Sequence, residues 1–109
     1  MREQRLGEAA LFLLPSLKMK QHSAEERVHR FLMETFGGYT AAAGNIFGYW
    51  VDSGGGQSYG EHRQFLVALD APEKRDKLTE FLASIARELD EESILLQTGN
   101  AVSLVWAQK

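Results

Sequence analysis

Two helix-length stripes of apolar residues, each set between strand-patterned stretches, constrain this chain more than anything else in it. Val28, Phe31, Leu32 and Phe36 recur at helical spacing, and so do Leu78, Phe81, Leu82, Ile85 and Leu89, so each stripe buries one face of an amphipathic helix. Start signals precede both. Ser23 and Glu26 form an S-x-x-E capping box, and Asp70 with Glu73 forms a D-x-x-E box with Pro72 in the first turn. Gly37 or Gly38 supplies the left-handed residue that closes the first helix.

Strand signals fill the rest. Glu8 to Leu14 reads as a strand that Pro15 ends. Thr40 to Asp52 reads as a second, bent or bulged near Gly44 or Gly48, and Tyr59 to Leu69 as a third with a polar, projecting first half. Ser53 to Ser58 forms a flexible hairpin tip between them. Ser93 to Gln97 and Ala101 to Trp106 pair across the turn Thr98-Gly99-Asn100. The order is β-α-β-β-α-β-β, which predicts an α+β, ferredoxin-like sandwich: an antiparallel sheet with two helices. Right-handed crossovers place both helices on the same face.

With 109 residues this is one domain, spanning 1–109. The absence of cysteine excludes disulfides, thiolate catalysis and cysteine-based metal sites. Twelve basic and 15 acidic residues are interspersed, with net charge −3, so no basic footprint for nucleic acid exists. The apolar run Ala9 to Leu14 is too short to span a bilayer. Glu3, Glu8, Pro15, Lys18 and Lys20 argue against a signal peptide. The expectation is a cytoplasmic protein with no membrane contact, no metal and no cofactor.

The first strand is apolar on both faces: Ala10, Phe12 and Leu14 on one, Leu11 and Leu13 on the other. Phe65, Val67 and Leu69 alternate with Leu66 and Ala68 in the third in the same way. Two helices cover only one side, so the far side carries an apolar patch larger than a monomer usually exposes. This predicts a homo-oligomer, most simply a two-fold dimer, unless the long hairpin folds back over its own sheet.

Eight of the ten glycines fall between Gly37 and Gly60, with all three tyrosines and Trp50. Such a tract marks turns or a surface that something approaches closely. Tyr49, Trp50, Gly54, Gly55, Gly56, Tyr59, Glu61 and His62 are therefore the candidate binding residues. With Gly55 and Gly56 at the hairpin tip, Trp50 lies opposite Glu61 and Tyr49 opposite His62. An aromatic beside a carboxylate and an imidazole can hold a small ligand or move a proton. Against that, Trp50 can be a cross-strand packing residue and Glu61–Arg63 a solvated pair. Gly56-Gln57-Ser58-Tyr59-Gly60 matches G-x-S-x-G, but a strand follows where the nucleophile elbow needs a helix. Gly54 to Gly56 lack both the dinucleotide spacing and the Lys-Ser/Thr of a P-loop. His22 and His29 have no ligand spacing to His62, and Trp106 reads as packing in the last strand.

From Phe36 onward the landmarks resemble an uncharacterised bacterial domain family with a ferredoxin-like fold. Gly38-Tyr39-Thr40, Gly48-Tyr49-Trp50, Gly54 to Gly56, Glu61 and Glu92-Ser93-Ile94-Leu95 carry the resemblance. It covers about two-thirds of the chain, departs by extra residues between Thr40 and Gly48, and implies the fold without any catalytic residue. The leading expectation is a non-enzymatic, oligomeric domain that binds a small ligand or a protein partner through the glycine-aromatic hairpin. The rival is a small cofactor-free enzyme of the dimeric ferredoxin-like kind, with Glu61 or His62 as base and Trp50 as a wall. An RNA platform fails on charge and on the missing basic-aromatic pattern.

Overall fold

Period-two alternation decides which side of each strand becomes core. The structure, a computed structural model describing residues 1–109, has Ala10, Phe12 and Leu14 fully buried on β1 (Glu8–Pro15), while Leu11 and Leu13 stay half-buried on the reverse. The long β4 (Gln57–Leu69) repeats this, with Phe65 and Val67 buried and Leu66 exposed. Phe12 pairs with Phe65 across β1 and β4, and their rings stack at 5.3 Å. Against this layer lie α2 (Glu25–Phe36), through Val28 and Leu32, and α3 (Pro72–Glu88), through Leu78, Leu82 and Ile85. Phe31 of α2 stacks on Phe81 of α3 at 3.8 Å, joining the two helices edge to edge.

The sheet has six strands, all neighbours antiparallel. Both β2 (Thr40–Ala41) and β3 (Ile46–Val51) pair with β4; then follow β1, β5 (Ser93–Thr98) and β6 (Ala101–Trp106). This is the ferredoxin-like α+β sandwich with an added edge strand. No helix is long and apolar enough to cross a membrane.

Several local expectations need correcting. The segment after β1 is itself helical: α1 (Ser16–Gln21) starts directly at Pro15 and buries Met19. Its return turn puts Ser23 at φ 54, so Ala24 occupies the N-cap of α2 and the Ser23–Glu26 box does not form. At α3 the N-cap is Ala71, because the Asp70 carboxylate is taken by Lys74 at 2.9 Å. Pro72 does begin that helix, and Gly37, at φ 75, closes α2 by donating to the Met33 carbonyl. The expected second strand is two strands, broken at residues 42–45 rather than bulged. Gly7, at φ 135, passes so close to the Leu69 carbonyl that a Cβ there would stand 2.1 Å from its oxygen.

Thirteen residues of β4 extend about 40 Å at strand rise, which outruns the helices and accounts for the molecule's 50 × 29 × 28 Å extents. The β3–β4 hairpin therefore projects, as its polar sequence suggested. It does not cover the far side of the sheet, where Val102, Leu104 and Trp106 are 62%, 53% and 63% exposed. Phe12→Ala should cost about 3–5 kcal/mol in a denaturant titration, because a fully buried stacked ring leaves a cavity between sheet and helices; a loss under 1 kcal/mol would contradict this core.

Candidate active site

The projecting hairpin has two chemically different sides, set by its register. Ile46 pairs with His62, Gly48 with Gly60, and Trp50 with Ser58. Between them Phe47 pairs with Glu61, Tyr49 with Tyr59, and Val51 with Gln57. This differs from the expected pairing of Trp50 with Glu61 and Tyr49 with His62, because the loop spans residues 52–56 and centres on Gly54, not on Gly55-Gly56. Asp52 N–H donates to the Gly56 carbonyl at 2.8 Å, and Gly55 N–H to the Asp52 carbonyl at 3.0 Å with Gly55 at φ 85.

Asp52 is also what orders the loop that the glycines alone would leave mobile. Its Oδ1 accepts the backbone N–H groups of Gly54 and Gly56, both at 3.0 Å, and its Oδ2 accepts the Ser58 hydroxyl at 3.0 Å. The Ser58 hydroxyl and the Gly56 amide hold the Asp52 carboxyl below its usual range against an opposing desolvation, with a smaller contribution from the Gly54 amide. The serine of the G-x-S-x-G sequence is thus a structural donor on a hairpin.

On one side of the hairpin Phe47, Tyr49 and Tyr59 form an exposed aromatic cluster, with Tyr49 and Tyr59 ring centroids 5.1 Å apart. Glu61 belongs to this side. Local desolvation, followed by the charge and hydrogen bond of Glu61, raises the Tyr59 hydroxyl pKa. On the other side Trp50 folds over Gly60 onto the His62 ring, edge to face at 5.9 Å. A Cβ at Gly60 would lie 2.7 Å from the Trp50 ring and 2.8 Å from His62 Cε1. Glycine at this position is therefore what lets the indole and imidazole meet.

Trp50 and His62 open onto a pocket of about 630 Å³ between the hairpin and the start of β5, a volume suited to a small-molecule ligand. Leu13, Leu95 and Leu104 supply its apolar floor, and Trp106 stands across from Trp50. The turn after α3 brings Glu91 and Glu92 to its rim, where Glu92 accepts a weak 3.4 Å hydrogen bond from Ser53 of the hairpin loop. Three carboxylates (Asp52, Glu91, Glu92) and one histidine line the pocket, with no lysine or arginine.

Partial burial lowers the His62 pKa, opposed by the charge of Glu91 and by a backbone hydrogen bond at Gly60. His62 is thus a neutral imidazole at pH 7, able to accept a proton.

The structure brings Tyr49, Trp50 and His62 to the pocket lining, although the Tyr49 ring packs on Tyr59. It sets Tyr59 and Glu61 on the hairpin's other side, and Gly54, Gly55 and Gly56 in the Asp52-bound loop. Sequence reasoning missed Glu91, Glu92 and Asp52. Only Asp52 had a local signal, an aspartate two residues before a glycine run that its carboxylate can bond. Trp106, expected to pack in its strand, instead stands exposed on the pocket side.

No protein-family model matches the chain, and no curated protein matches it in sequence. Among solved structures it is similar to a phage SAM lyase in complex with S-methyl-5'-thioadenosine, with a TM-score of 0.61 and 16% identity over 98% of this chain and 97% of that one. It is also similar to a phage SAM lyase in the apo state, with a TM-score of 0.55 and 14% identity over 100% and 98% of the two chains. At such identities the likeness is one of fold. The fold implied by the bacterial-family resemblance is present, while its landmark residues gain no family match. The expectation of a non-enzymatic domain is corrected here: two solved structures similar to this chain from end to end are SAM lyases, which are enzymes.

Gly60→Ala should leave the fold intact and displace Trp50 from His62. Loss of the indole's ring-current shift on the His62 C2 proton would report it; an unchanged shift would show that the two rings do not depend on the bare glycine.

Proposed function

We propose that this chain is a cofactor-free enzyme acting on a small cationic nucleoside compound of the S-adenosylmethionine class, in the pocket between Trp50, His62 and Glu91. The observation that carries the reading is the pocket's charge: three carboxylates and no cationic side chain around an aromatic-walled cavity of about 630 Å³. Such a site favours a sulfonium or ammonium and disfavours compounds of net negative charge, phosphates above all. Trp50 and Trp106 offer π-faces to an adenine ring or to the sulfonium itself. The fold shared with the SAM lyases supports the same class independently of the charge.

The chemistry needs little from the protein. S-methyl-5'-thioadenosine is what remains of S-adenosylmethionine when the bond from sulfur to the amino-acid chain is broken. The electron pair of that bond returns to sulfur, which becomes a neutral thioether, and the pair of a neighbouring C–H bond in the amino-acid chain becomes a C=C bond to the released carbon, so no co-reactant is required. The proton of that C–H bond goes to His62, which burial keeps neutral and Glu91 stabilises once charged. Glu61, on the opposite side of β4, has no part in this; the base is His62 alone.

Incubation with S-adenosylmethionine, followed by chromatography, should show S-methyl-5'-thioadenosine; no turnover and no binding by calorimetry would overturn the reading. His62→Gln should lower kcat by about 10²-fold with little change in KM. The depressed histidine pKa fixes the pH dependence. The base form persists below the ordinary ~6.5 of histidine and is lost only as pH falls through the lowered value, so the acid limb should lie below that point.

The uncovered side of the sheet supports self-association, most simply as a two-fold dimer. Leu66 and Val102 are exposed there outside the pocket, and covering them at ~25 cal/mol per Å² amounts to a few kcal/mol. Light scattering at micromolar concentration should give a mass above 12.2 kDa, and Val102→Lys should shift it toward the monomer. A monomer in the unaltered protein would end the proposal.

A further inference from the structure

We propose that Lys18 is a positioning residue for His62, holding the Glu91 carboxylate at the pocket rim beside the imidazole. The proposal rests on the reading of this pocket as the active site. Lys18 sits on α1, the short helix inserted between β1 and α2, and its ammonium reaches across to the turn after α3. There it donates to the Asp90 carbonyl at 2.8 Å and pairs with Glu91 Oε1 at 3.2 Å. One side chain thus grips two consecutive residues that lie 72 and 73 positions away in the chain.

That turn needs a grip. Asp90 has φ 57, a left-handed conformation that costs a non-glycine residue of order 1 kcal/mol. The turn leaves α3 through the Glu91 N–H, which donates to the Ala86 carbonyl at 2.8 Å. The ammonium also sits at the α3 C-terminus, where the helix dipole favours a cation. Other α1 features point the same way: the Ser16 hydroxyl bonds Asn45, the residue that leads into β3, at 2.6 Å. The inserted helix therefore ties both pocket walls, the hairpin through Ser16 and the acidic turn through Lys18.

The charged groups around His62 are Glu91 and Glu92 from the turn, Asp52 from the hairpin loop, and Lys18 behind Glu91; β1 presents only Pro15. Glu91 is the one that acts on His62. An ammonium that merely neutralised Glu91 and one that fixed its place make opposite demands on a double-mutant cycle. The midpoint of the His62 C2 proton resonance, followed by NMR against pH, reads the difference without any substrate.

Glu91→Gln should lower that midpoint in the unaltered background. In Lys18→Met the same substitution should have little or no effect, because Glu91 has left the imidazole, and Lys18→Arg should restore the response. An effect of Glu91→Gln that is undiminished or larger in Lys18→Met would overturn the proposal. Lys18→Gln gives the same comparison should the methionine variant fold poorly. In turnover of S-adenosylmethionine, Lys18→Met should shift the acid limb and lower kcat more than it raises KM. An inactive unaltered enzyme would sink the reading of the pocket, whereas an active one with an undiminished Glu91→Gln response would sink the role of Lys18 alone.

Discussion

Two helices can shield one side of a sheet, and only as much of its length as they themselves span. Everything distinctive about this molecule follows from a sheet that exceeds both limits. Phe12, Phe65 and the helix stripes satisfy the core, and α2 and α3 are spent on it. What remains is a far side with exposed leucines and a tryptophan, and a 13-residue β4 whose first half runs past the helices with β3 paired to it. The pocket lies where these two excesses meet, its floor from the uncovered side of the sheet and its wall from the overhanging hairpin. The candidate site needs no separate scaffold here, because it occupies surface the core has no means to bury.

The architecture was legible because it depends on periodicity. Alternation in Glu8–Leu14 and Phe65–Leu69 and the two helical stripes are local patterns with one reading each, and the order of elements then admits few topologies. The caps were not legible, since a serine or aspartate in the right place signals an N-cap only if nothing else takes its side chain or its backbone. The return turn from α1 takes Ser23, and Lys74 takes Asp70. Helix α1 itself escaped notice because six residues with one buried apolar side chain, Met19, carry no periodicity to detect.

The site was half legible, for a similar reason. Composition pointed to the glycine-aromatic tract, and Trp50 and His62 do meet. Their partners arrive from elsewhere in the chain, however: Glu91 and Glu92 follow α3, and Trp106 ends β6. Nothing local distinguishes those acids from any solvated pair beyond a helix. The register error had a sharper cause. The glycines marked the tip, but Asp52 closes the loop by gathering Gly54, Gly56 and Ser58 around one carboxylate. A slip in the pairing moved Glu61 from the pocket side to the aromatic side, because adjacent strand residues face opposite ways.

This separation of Glu61 from His62 sharpens the chemistry. A histidine beside a carboxylate on its own strand face would be held charged, a poor base at neutral pH. Here burial lowers the His62 pKa while Glu91, reached through a different part of the chain, raises it only partly. The imidazole stays neutral until it takes a proton, and the carboxylate stands ready to stabilise the charge that results. The balance depends on distance, and the Glu91 distance is set by a turn with a left-handed aspartate, braced by a lysine from a six-residue helix. An insertion with too little apolar surface to justify itself as core gains a physical rationale as the brace for that turn.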